Sequence, residues 1–235
     1  ATNGSLKYAR QVGGAWLIET VTAAGTSVGQ CALALDATGT PHVSFWDQTG
    51  SDLRLAMRGP GGWSVETIIA TGDVGAASSI AIDPLGGIHV CAVDWTRDRL
   101  LYARRQGTAW SIDVADSATA AESTLCDFTA LSPDQTSLRL DSDNRPHVAY
   151  VRACSWFEEV RVAERGAAGW TIETVDASYL WGAPGLRPSL ELDAGGRAHV
   201  SFGHVHANQG WIALASRGDP SWTAEQVEVL VNPFL

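Results

Sequence analysis

Short runs of alternating apolar and polar residues recur along the whole chain, and no run shows the 3.6-residue period of a helix. In four places such a run ends in an aspartate, and a short turn then leads to His-Val and a small residue. The spacings between successive aspartates are 47, 58 and 52 residues, and the histidines keep the same spacings. The pairs are Asp36 with His42, Asp83 with His89, Asp141 with His147, and Asp193 with His199. The pattern predicts a β-rich repeat protein.

A second half-motif occurs five times: an alternating run, a glycine-rich turn and a tryptophan that opens another alternating run. The tryptophans are Trp16, Trp63, Trp110, Trp170 and Trp222. One repeat therefore has four strands, here named A (before the aspartate), B (from the histidine), C (before the glycine-rich turn) and D (from the tryptophan). Turns rich in Gly, Asp, Asn and Pro suit hairpins. Four antiparallel strands per repeat predict an all-β protein, a five-bladed β-propeller with essentially no helix.

The segment LALDATGTPHVSF, from Leu33, resembles the first two strands of the NHL and BNR-like propeller repeats of bacterial secreted and surface proteins. The resemblance covers nearly the whole chain and implies the propeller fold. It leaves function open, because such propellers serve as lectins, enzymes and docking platforms.

Strands A and B occur four times, whereas strands C and D occur five times. We predict one propeller domain, 1–235, with a half blade at 1–27 and full blades at about 28–72, 73–117, 118–178 and 179–235. The unequal count leaves three alternatives open. The ring closes with five unequal blades, the chain is a piece of a longer precursor with an upstream segment, or a second subunit completes the first blade.

The repeated residues are predicted to be structural. Equivalent histidines on strand B lie far apart around a ring, so they cannot bind one metal ion. We expect each ring to contact a turn carbonyl or the neighbouring blade. The aspartates are expected to accept hydrogen bonds from the amides of the A–B turn, and the five tryptophans to fill the wedge between adjacent sheets.

Departures from the repeat gather at one end of the blades, where the D–A and B–C connections lie. We call this end the D–A/B–C face. Four tryptophans outside the repeat pattern lie there, beside carboxylates, arginine and histidine, a combination that suits carbohydrate or a protein partner. The alternative is that these tryptophans cap the core. The predicted ligand-binding residues are Trp46, Asp47, Asp94, Trp95, Arg152, Trp156, Trp181, His204 and His206.

The sequence contains few patterns typical of catalysis or of metal binding, and no catalytic residue is assigned. His204 and His206 alternate on a strand and are the candidates for a transition metal, although no third ligand is evident. Asp141 and Asp143 hint at calcium but lack the EF-hand spacing. The prediction is therefore no cofactor. Asp47 and Asp94 are the candidates for an acidic pair if the chain is a hydrolase or lyase.

Two of the four cysteines are predicted to form a disulfide, Cys126 with Cys154, which places the protein outside the cytoplasm, as a secreted, periplasmic or surface protein. Cys31 and Cys91 are predicted to be buried free thiols. The net charge of −10 disfavours nucleic acid as a partner, and the apolar runs are too short for a membrane-spanning helix. The leading hypothesis is a binding propeller that recognises a glycan or another macromolecule. The alternatives are an enzyme and a fragment or subunit of a larger propeller.

Overall fold

The computed structural model describes residues 4–23, 25–117, 126–127, 136–154, 157–179, 187–206, 209–218 and 221–230. At 126–127, 153–154, 157, 178–179, 204–206, 209–210 and 228–230 it describes the backbone only. Within this part of the chain every regular element is a β-strand and no helix occurs. Accordingly, it contains no helix that could span a membrane.

Five antiparallel sheets follow one another along the chain. The first sheet has two strands, β1 (Lys7–Val12) and β2 (Ala15–Thr20). The second sheet comprises β3 (Val28–Leu35), β4 (Pro41–Asp47), β5 (Asp52–Gly59) and β6 (Gly62–Ile69). The third comprises β7 (Val74–Ile82), β8 (Ile88–Asp94), β9 (Arg99–Gln106) and β10 (Ala109–Ser117).

The last two sheets repeat the same order of strands. The fourth comprises β11 (Cys126–Asp127), β12 (Thr136–Leu140), β13 (Pro146–Cys154), β14 (Phe157–Gly166) and β15 (Gly169–Tyr179). The fifth comprises β16 (Ser189–Leu192), β17 (Ala198–His206), β18 (Gln209–Arg217) and β19 (Trp222–Leu230). The prediction of an all-β propeller without helix, with an incomplete first blade, is confirmed. The fourth sheet differs only by the short β11, which pairs with β13 beyond the end of β12.

The aspartate after strand A organises the A–B turn. One carboxylate oxygen of Asp83 accepts hydrogen bonds from the amides of Leu85 and Gly87, at 2.9 and 2.7 Å. Burial raises the pKa of Asp83, but these hydrogen bonds and one from His89 outweigh that effect and leave the pKa below its ordinary value. The same pair of amide bonds occurs at Asp36, Asp141 and Asp193. The predicted role of the four aspartates is confirmed.

The repeated histidines bind within their own sheet. His89 Nε2 lies 3.2 Å from the second carboxylate oxygen of Asp83, and Nδ1 lies 2.6 Å from the hydroxyl of Tyr102. The other three histidines contact the aspartate of their own turn at 3.4 to 3.5 Å. The prediction of a turn carbonyl or a neighbouring blade as the partner was wrong, because the oxygen that the turn amides leave over faces the start of strand B.

In the second, third and fifth sheets, the tryptophan of strand D is hydrogen-bonded to the preceding sheet. Trp110 Nε1 donates to Glu66 at 3.0 Å, and Arg105, which lies opposite Trp110 on strand C, contacts the same carboxylate at 3.0 Å. We call this arrangement the Trp–Arg clamp. It recurs where Arg58 and Trp63 bind Glu19, and where Arg217 and Trp222 bind Glu173. The wedge role is thus confirmed between sheets, but Trp16 of the first sheet is 67% exposed, contrary to the prediction.

Candidate functional site

The inner strands of the four larger sheets surround a cavity of about 510 Å³, here called the axial cavity. Its wall is formed by residues 29–32, 77–79, 136–137 and 187–189. These residues lie at or shortly after the start of the A strands, except in β7, where they are in the middle of the strand. The cavity therefore lies on the D–A/B–C side of the inner strands. Propellers and other scaffolds position their binding sites with the loops at one such end.

The wall of the axial cavity is built from small and hydroxyl-bearing residues. Gln30 Oε1 accepts a hydrogen bond from the amide of Ala77 at 2.6 Å. Thr136 donates to the carbonyl of Ala77 at 2.6 Å and shares a hydrogen bond of 2.7 Å with Ser79. These bonds join neighbouring inner strands. Arg187 is the one charged side chain among the described wall residues, so the wall suits a ligand with many hydroxyl groups.

Both cysteines with described side chains are free thiols, as predicted. Cys91 is buried, also as predicted. The prediction that Cys31 is buried was wrong: its side chain is exposed at the wall of the axial cavity. Partial desolvation there raises the pKa of the Cys31 thiol. The reason for the error is that the cavity occupies the centre of the ring, where the repeat pattern by itself suggests packing.

Trp46 is not itself a wall residue, but its indole packs against two glycines, one of which belongs to the wall of the axial cavity. A Cβ atom on Gly29, which belongs to the cavity wall, would lie 2.6 Å from Trp46 Cε3. A Cβ atom on Gly75, whose φ is 126°, would lie 3.1 Å from Trp46 Cδ1. The indole nitrogen donates to Asp73 Oδ1 at 3.1 Å. The side chain is therefore held in one orientation beside the cavity.

The structure brings together two of the predicted tryptophans, Trp46 and Trp95. Their rings pack edge to face, with centroids 4.9 Å apart and an interplanar angle of 81°. Both side chains are half-buried, and Trp95 packs on the core between the third and fourth sheets. The pair consequently closes the end of the core, as the capping alternative requires, and still presents part of its surface to solvent.

Asp47 and Asp94, the candidates for an acidic pair, each form an ion pair with arginine. Asp47 Oδ2 lies 2.7 Å from Arg54 Nη1, and Asp94 Oδ2 lies 3.2 Å from Arg99 Nη2 and 3.3 Å from Arg97 Nη1. Both carboxylates are buried. A guanidinium group of the same sheet therefore balances each charge. A role of the two carboxylates as an acidic pair stays a prediction.

Arg152 lies below the surface rather than on it. Its side chain is buried, and Nη1 lies 3.6 Å from Asp116 Oδ2. The same oxygen of Asp116 accepts from the hydroxyl of Tyr150 at 2.5 Å and from Arg161 at 3.2 Å. This buried polar cluster joins the third and fourth sheets. The repeat pattern did not indicate this cluster, because the cluster depends on how two neighbouring sheets pack.

Glu158 is a further polar residue of this face, outside the predicted ligand-binding residues. Its side chain is fully buried, and neither carboxylate oxygen has a hydrogen-bond partner among the described residues. Burial raises the pKa of Glu158. It is the one carboxyl group in the described part of the chain for which such a rise is found.

The remaining predicted residues lie wholly or partly outside the described structure. Trp156 and Trp181 are outside the described residues. His204 and His206 are described by their backbone, opposite Trp211 and Gln209 on β18. The described side chains bring no three His, Cys, Asp or Glu residues together as a metal site. A metal at the histidine pair stays a prediction.

The backbones of Cys126 and Cys154 lie directly opposite each other in the short pairing of β11 with β13. Their side chains are outside the described structure, so the disulfide stays a prediction. Directly paired residues of antiparallel strands have Cα atoms about 4.5–5.5 Å apart, which is within the range that a disulfide spans.

No family model and no curated protein sequence matches the chain. Solved structures do match it, at low identity. The Hadza microbial sialidase Hz136 is 12% identical with a TM-score of 0.57, over 86% of this chain and 46% of that one. The Aleuria aurantia lectin in complex with Fucα1-6GlcNAc is 14% identical with a TM-score of 0.58, over 86% of this chain and 65% of that one.

The α-L-arabinofuranosidase Arb93A from Fusarium graminearum is 9% identical with a TM-score of 0.55, over 85% of this chain and 66% of that one. The chain thus spans about half to two thirds of the length of these structures. At such identities the likeness shows the fold alone. The chain has a β-propeller fold whose structural neighbours are lectins and enzymes that act on glycans.

Proposed function

We propose that this protein is a binding propeller that recognises a glycan at the D–A/B–C face. The observation that carries the proposal is the position of Trp46, whose indole lies against Gly29 of the axial cavity wall. An aromatic face beside a wall of hydroxyl groups is the combination that sugar rings need. Their C–H faces stack on the indole, and their hydroxyls exchange hydrogen bonds with polar side chains.

In this proposal the predicted residues have different roles. Trp46 and Trp95 contact the sugar, and the wall residues Gln30, Thr136 and Arg187 bind its hydroxyl groups. The buried, ion-paired Asp47, Asp94 and Arg152 hold the rim in place. Trp156 and Trp181, which the sequence pattern assigns to connections of the same face, are proposed to contribute to its outer surface. The same is proposed for His204 and His206, at the end of β17. A protein partner on this face is the alternative occupant.

A glycan array and titration calorimetry test the proposal. Trp46→Ala is expected to weaken the binding of the best glycan by about tenfold or more, which corresponds to about 1.4 kcal/mol. Trp16→Ala is the matched control, because Trp16 is exposed on the first sheet and away from this face. Thermal melting of each variant reports on folding. Unchanged affinity in both Trp46→Ala and Trp95→Ala would remove the face assignment.

Cys31 offers a second test that needs no deletion in the core. Its thiol is exposed at the cavity wall, whereas the thiol of Cys91 is fully buried. We expect a maleimide to label Cys31 and to abolish glycan binding, and we expect saturating glycan to slow that labelling. Peptide mass spectrometry distinguishes the two sites. Full glycan affinity after complete labelling of Cys31 would exclude the axial cavity as the binding site.

An enzyme that acts at the same end is the second candidate, and Glu158 is the observation that favours it. A buried carboxyl group with a raised pKa has the property of a general acid. Its complete burial speaks against direct contact with substrate. A screen of chromogenic glycosides with the native protein and with Glu158→Gln decides the matter. Turnover that Glu158→Gln abolishes supports the enzyme, and elemental analysis tests for a metal.

We also propose that the protein acts outside the cytoplasm and that Cys126 and Cys154 form its disulfide. The facing backbones of the two residues support this. Intact mass spectrometry is expected to show the gain of two hydrogens on reduction. Reduction is expected to lower the melting temperature of the native protein but not of Cys126→Ser. Two free thiols at these positions in the secreted protein would refute the proposal.

A further inference from the structure

Another cavity lies at the other end of the blades, between the third and fourth sheets. Its volume is about 330 Å³. Its wall consists of Tyr102 and Arg104 of β9 and of residues 143–146 and 165–167, which lie in or next to the A–B and C–D turns of the fourth sheet. These turns are at the end of the blades opposite the D–A/B–C face. The cavity, here called the arginine pocket, is therefore separate from the glycan site proposed above.

The wall of the arginine pocket concentrates positive charge. Three of its residues are arginines, Arg104, Arg145 and Arg165. The one carboxylate of the wall, Asp143, is exposed and lies 3.3 Å from Arg145 Nη2. The protein as a whole carries a net charge of −10. A wall with three guanidinium groups on an acidic protein is a local positive field, and such a field attracts anions.

Arg104 has few partners of its own. It approaches the carboxylate of Asp83, but Nη2 lies 3.6 Å from Asp83 Oδ2, beyond hydrogen-bond distance. That oxygen already contacts His89 Nε2 at 3.2 Å. Nε of Arg104 is buried and has no hydrogen-bond partner among the described residues. A guanidinium group has five N–H donors, so those of the terminal nitrogens remain for a ligand in the pocket.

The equivalent positions at two other interfaces are electrically balanced. In the third and fifth sheets, the arginine opposite the strand D tryptophan contacts strand C of the preceding sheet, at the residue opposite the repeated histidine. Arg217 Nη1 lies 2.5 Å from Glu164 Oε2, which has the opposite charge. Arg105 Nη1 lies 3.0 Å from the sulfur of Met57, which is uncharged.

Between the third and fourth sheets the same two positions hold two arginines, Arg165 and Arg104. Arg165 Nη2 contacts Asp113 at 2.8 Å. Burial raises the pKa of the Tyr102 hydroxyl, and the charges of Arg104 and Arg165 both oppose that rise, so both groups lie near the same ring. Like charges repel each other at short range, and an anion between them removes the repulsion.

We propose that the arginine pocket is a binding site for a tetrahedral oxyanion, a phosphate or sulfate group. Arg104 and Arg165 bind its oxygens from the two sheets, and Arg145 binds from the A–B turn. Guanidinium groups suit such anions because their N–H donors form a planar fork that holds two oxygens at once. The volume of the pocket also leaves space for the organic part of an ester.

A related cavity between the first and second sheets provides an internal control. Its volume is about 280 Å³, and its wall contains the equivalent arginines, Arg10 and Arg58. Both approach one carboxylate, that of Glu19, at 3.7 and 2.8 Å. Thr40 stands in the turn where the arginine pocket has its third arginine. We therefore expect this cavity to bind anions more weakly than the arginine pocket.

Calorimetric titration of the full chain tests the proposal, with inorganic phosphate, inorganic sulfate, glucose 6-phosphate and glucose 6-sulfate as probes. Sodium chloride keeps the ionic strength constant, because salt screens charges. We expect saturable binding of at least one probe and a melting temperature that rises with its concentration. Equal affinity for ion and ester identifies the free anion as the ligand, and tighter binding of an ester identifies an anionic group on a larger molecule. The absence of saturable binding overturns the proposal.

Three variants locate the bound anion. Arg104→Glu reproduces the opposite charges found between the fourth and fifth sheets, and it is expected to weaken binding of the best probe by about tenfold or more. Arg10→Gln is the matched control in the related cavity and is expected to keep native affinity. Native affinity in Arg104→Glu overturns the proposal, as does an equal loss in Arg10→Gln. If Arg104→Glu does not fold, Arg145→Thr, which copies the turn of the second sheet, decides by the same criterion.

Discussion

The interface between the third and fourth sheets and the interface between the first and second sheets contain the same repeat in two different states. At the former, Leu138 is 1% exposed, while at the latter its equivalent Leu33 is 53% exposed. The two leucines occupy the same position before the turn aspartate and the same place in strand A. The comparison shows that the neighbouring sheet, rather than the strand's own pattern, buries the residue.

A second difference concerns the Trp–Arg clamp. Between the second and third sheets, Glu66 accepts from Trp110 and contacts Arg105. Between the third and fourth sheets an aspartate, Asp113, stands in place of the glutamate. Arg165 reaches Asp113 at 2.8 Å, but the buried indole nitrogen of Trp170 has no hydrogen-bond partner among the described residues. Aspartate is shorter than glutamate by one methylene. Asp113 therefore pairs with Arg165 but leaves Trp170 Nε1 without a bond.

The largest expected effect is the loss of stability when a leucine is truncated in the packed interface between the third and fourth sheets. Leu138→Ala is expected to lower the free energy of unfolding by about 3 kcal/mol, because it leaves a cavity in a packed interface. Leu33→Ala at the open interface is expected to cost less than about 0.5 kcal/mol. Urea unfolding of the two variants measures both values. Similar losses in the two variants would mean that Leu33 is covered in solution.

The clamp tryptophans provide the next contrast. Trp110→Phe is expected to destabilise the protein by about 1.5 kcal/mol, since it removes a hydrogen bond to a charged group and leaves part of the indole's space empty. Trp16→Phe, on an exposed side chain, is expected to change the free energy of unfolding by no more than about 0.3 kcal/mol. Thermal and urea unfolding report both. A large loss in Trp16→Phe would contradict the open state of the first sheet.

The defective clamp can be repaired. Asp113→Glu is expected to raise the free energy of unfolding by about 1 kcal/mol, because the longer side chain reaches Trp170 Nε1 while it keeps Arg165. The reverse change, Glu66→Asp, is the matched control and is expected to destabilise by a similar amount. The change in melting temperature measures the two effects. No gain in Asp113→Glu would show that a group outside the described residues already satisfies Trp170.

The smallest expected effect is the contribution of His89, in the third sheet, to the pH dependence of stability. Burial lowers the pKa of His89 from its ordinary 6.5. The unfolded chain therefore takes up a proton as the pH falls below about 6.5, while the folded chain does not, and stability decreases. Melting temperatures between about pH 7.5 and 5 are expected to fall less in His89→Gln than in the native protein. Parallel curves would contradict the assignment.

A steeper loss is expected at lower pH. The turn aspartates have pKa values below the ordinary 3.8, so the unfolded chain binds protons there before the folded chain does. Acidification below about pH 4 should consequently destabilise the repeat turns in all four large sheets. This loss lies outside the window in which His89 titrates, and the two contributions can be separated.

Several features of the site could be predicted and others could not. Departures from the repeat placed Trp46 and Trp95 at the same end of the blades, and comparison of the repeats predicted the free thiol of Cys91. That this end is the functional face stays a prediction. The axial cavity, the exposure of Cys31 and the burial of Arg152 did not, because each depends on the distances between sheets that are far apart in sequence. The predicted partner of the repeated histidines was wrong for a local reason. The turn amides bind one oxygen of the aspartate, and its second oxygen is available to the histidine.

The sequence by itself determined the strands, their order within each sheet and the turns between them. These depend on periodicity, on the Asp-centred turns and on glycine, all of which act within about ten residues of one another. Only the tertiary structure decided which of the equivalent residues are buried, where the cavity lies and which clamp is complete. The physical reason is that burial and hydrogen-bond partners between sheets arise from packing, and packing brings together residues that the repeat spaces about 50 positions apart.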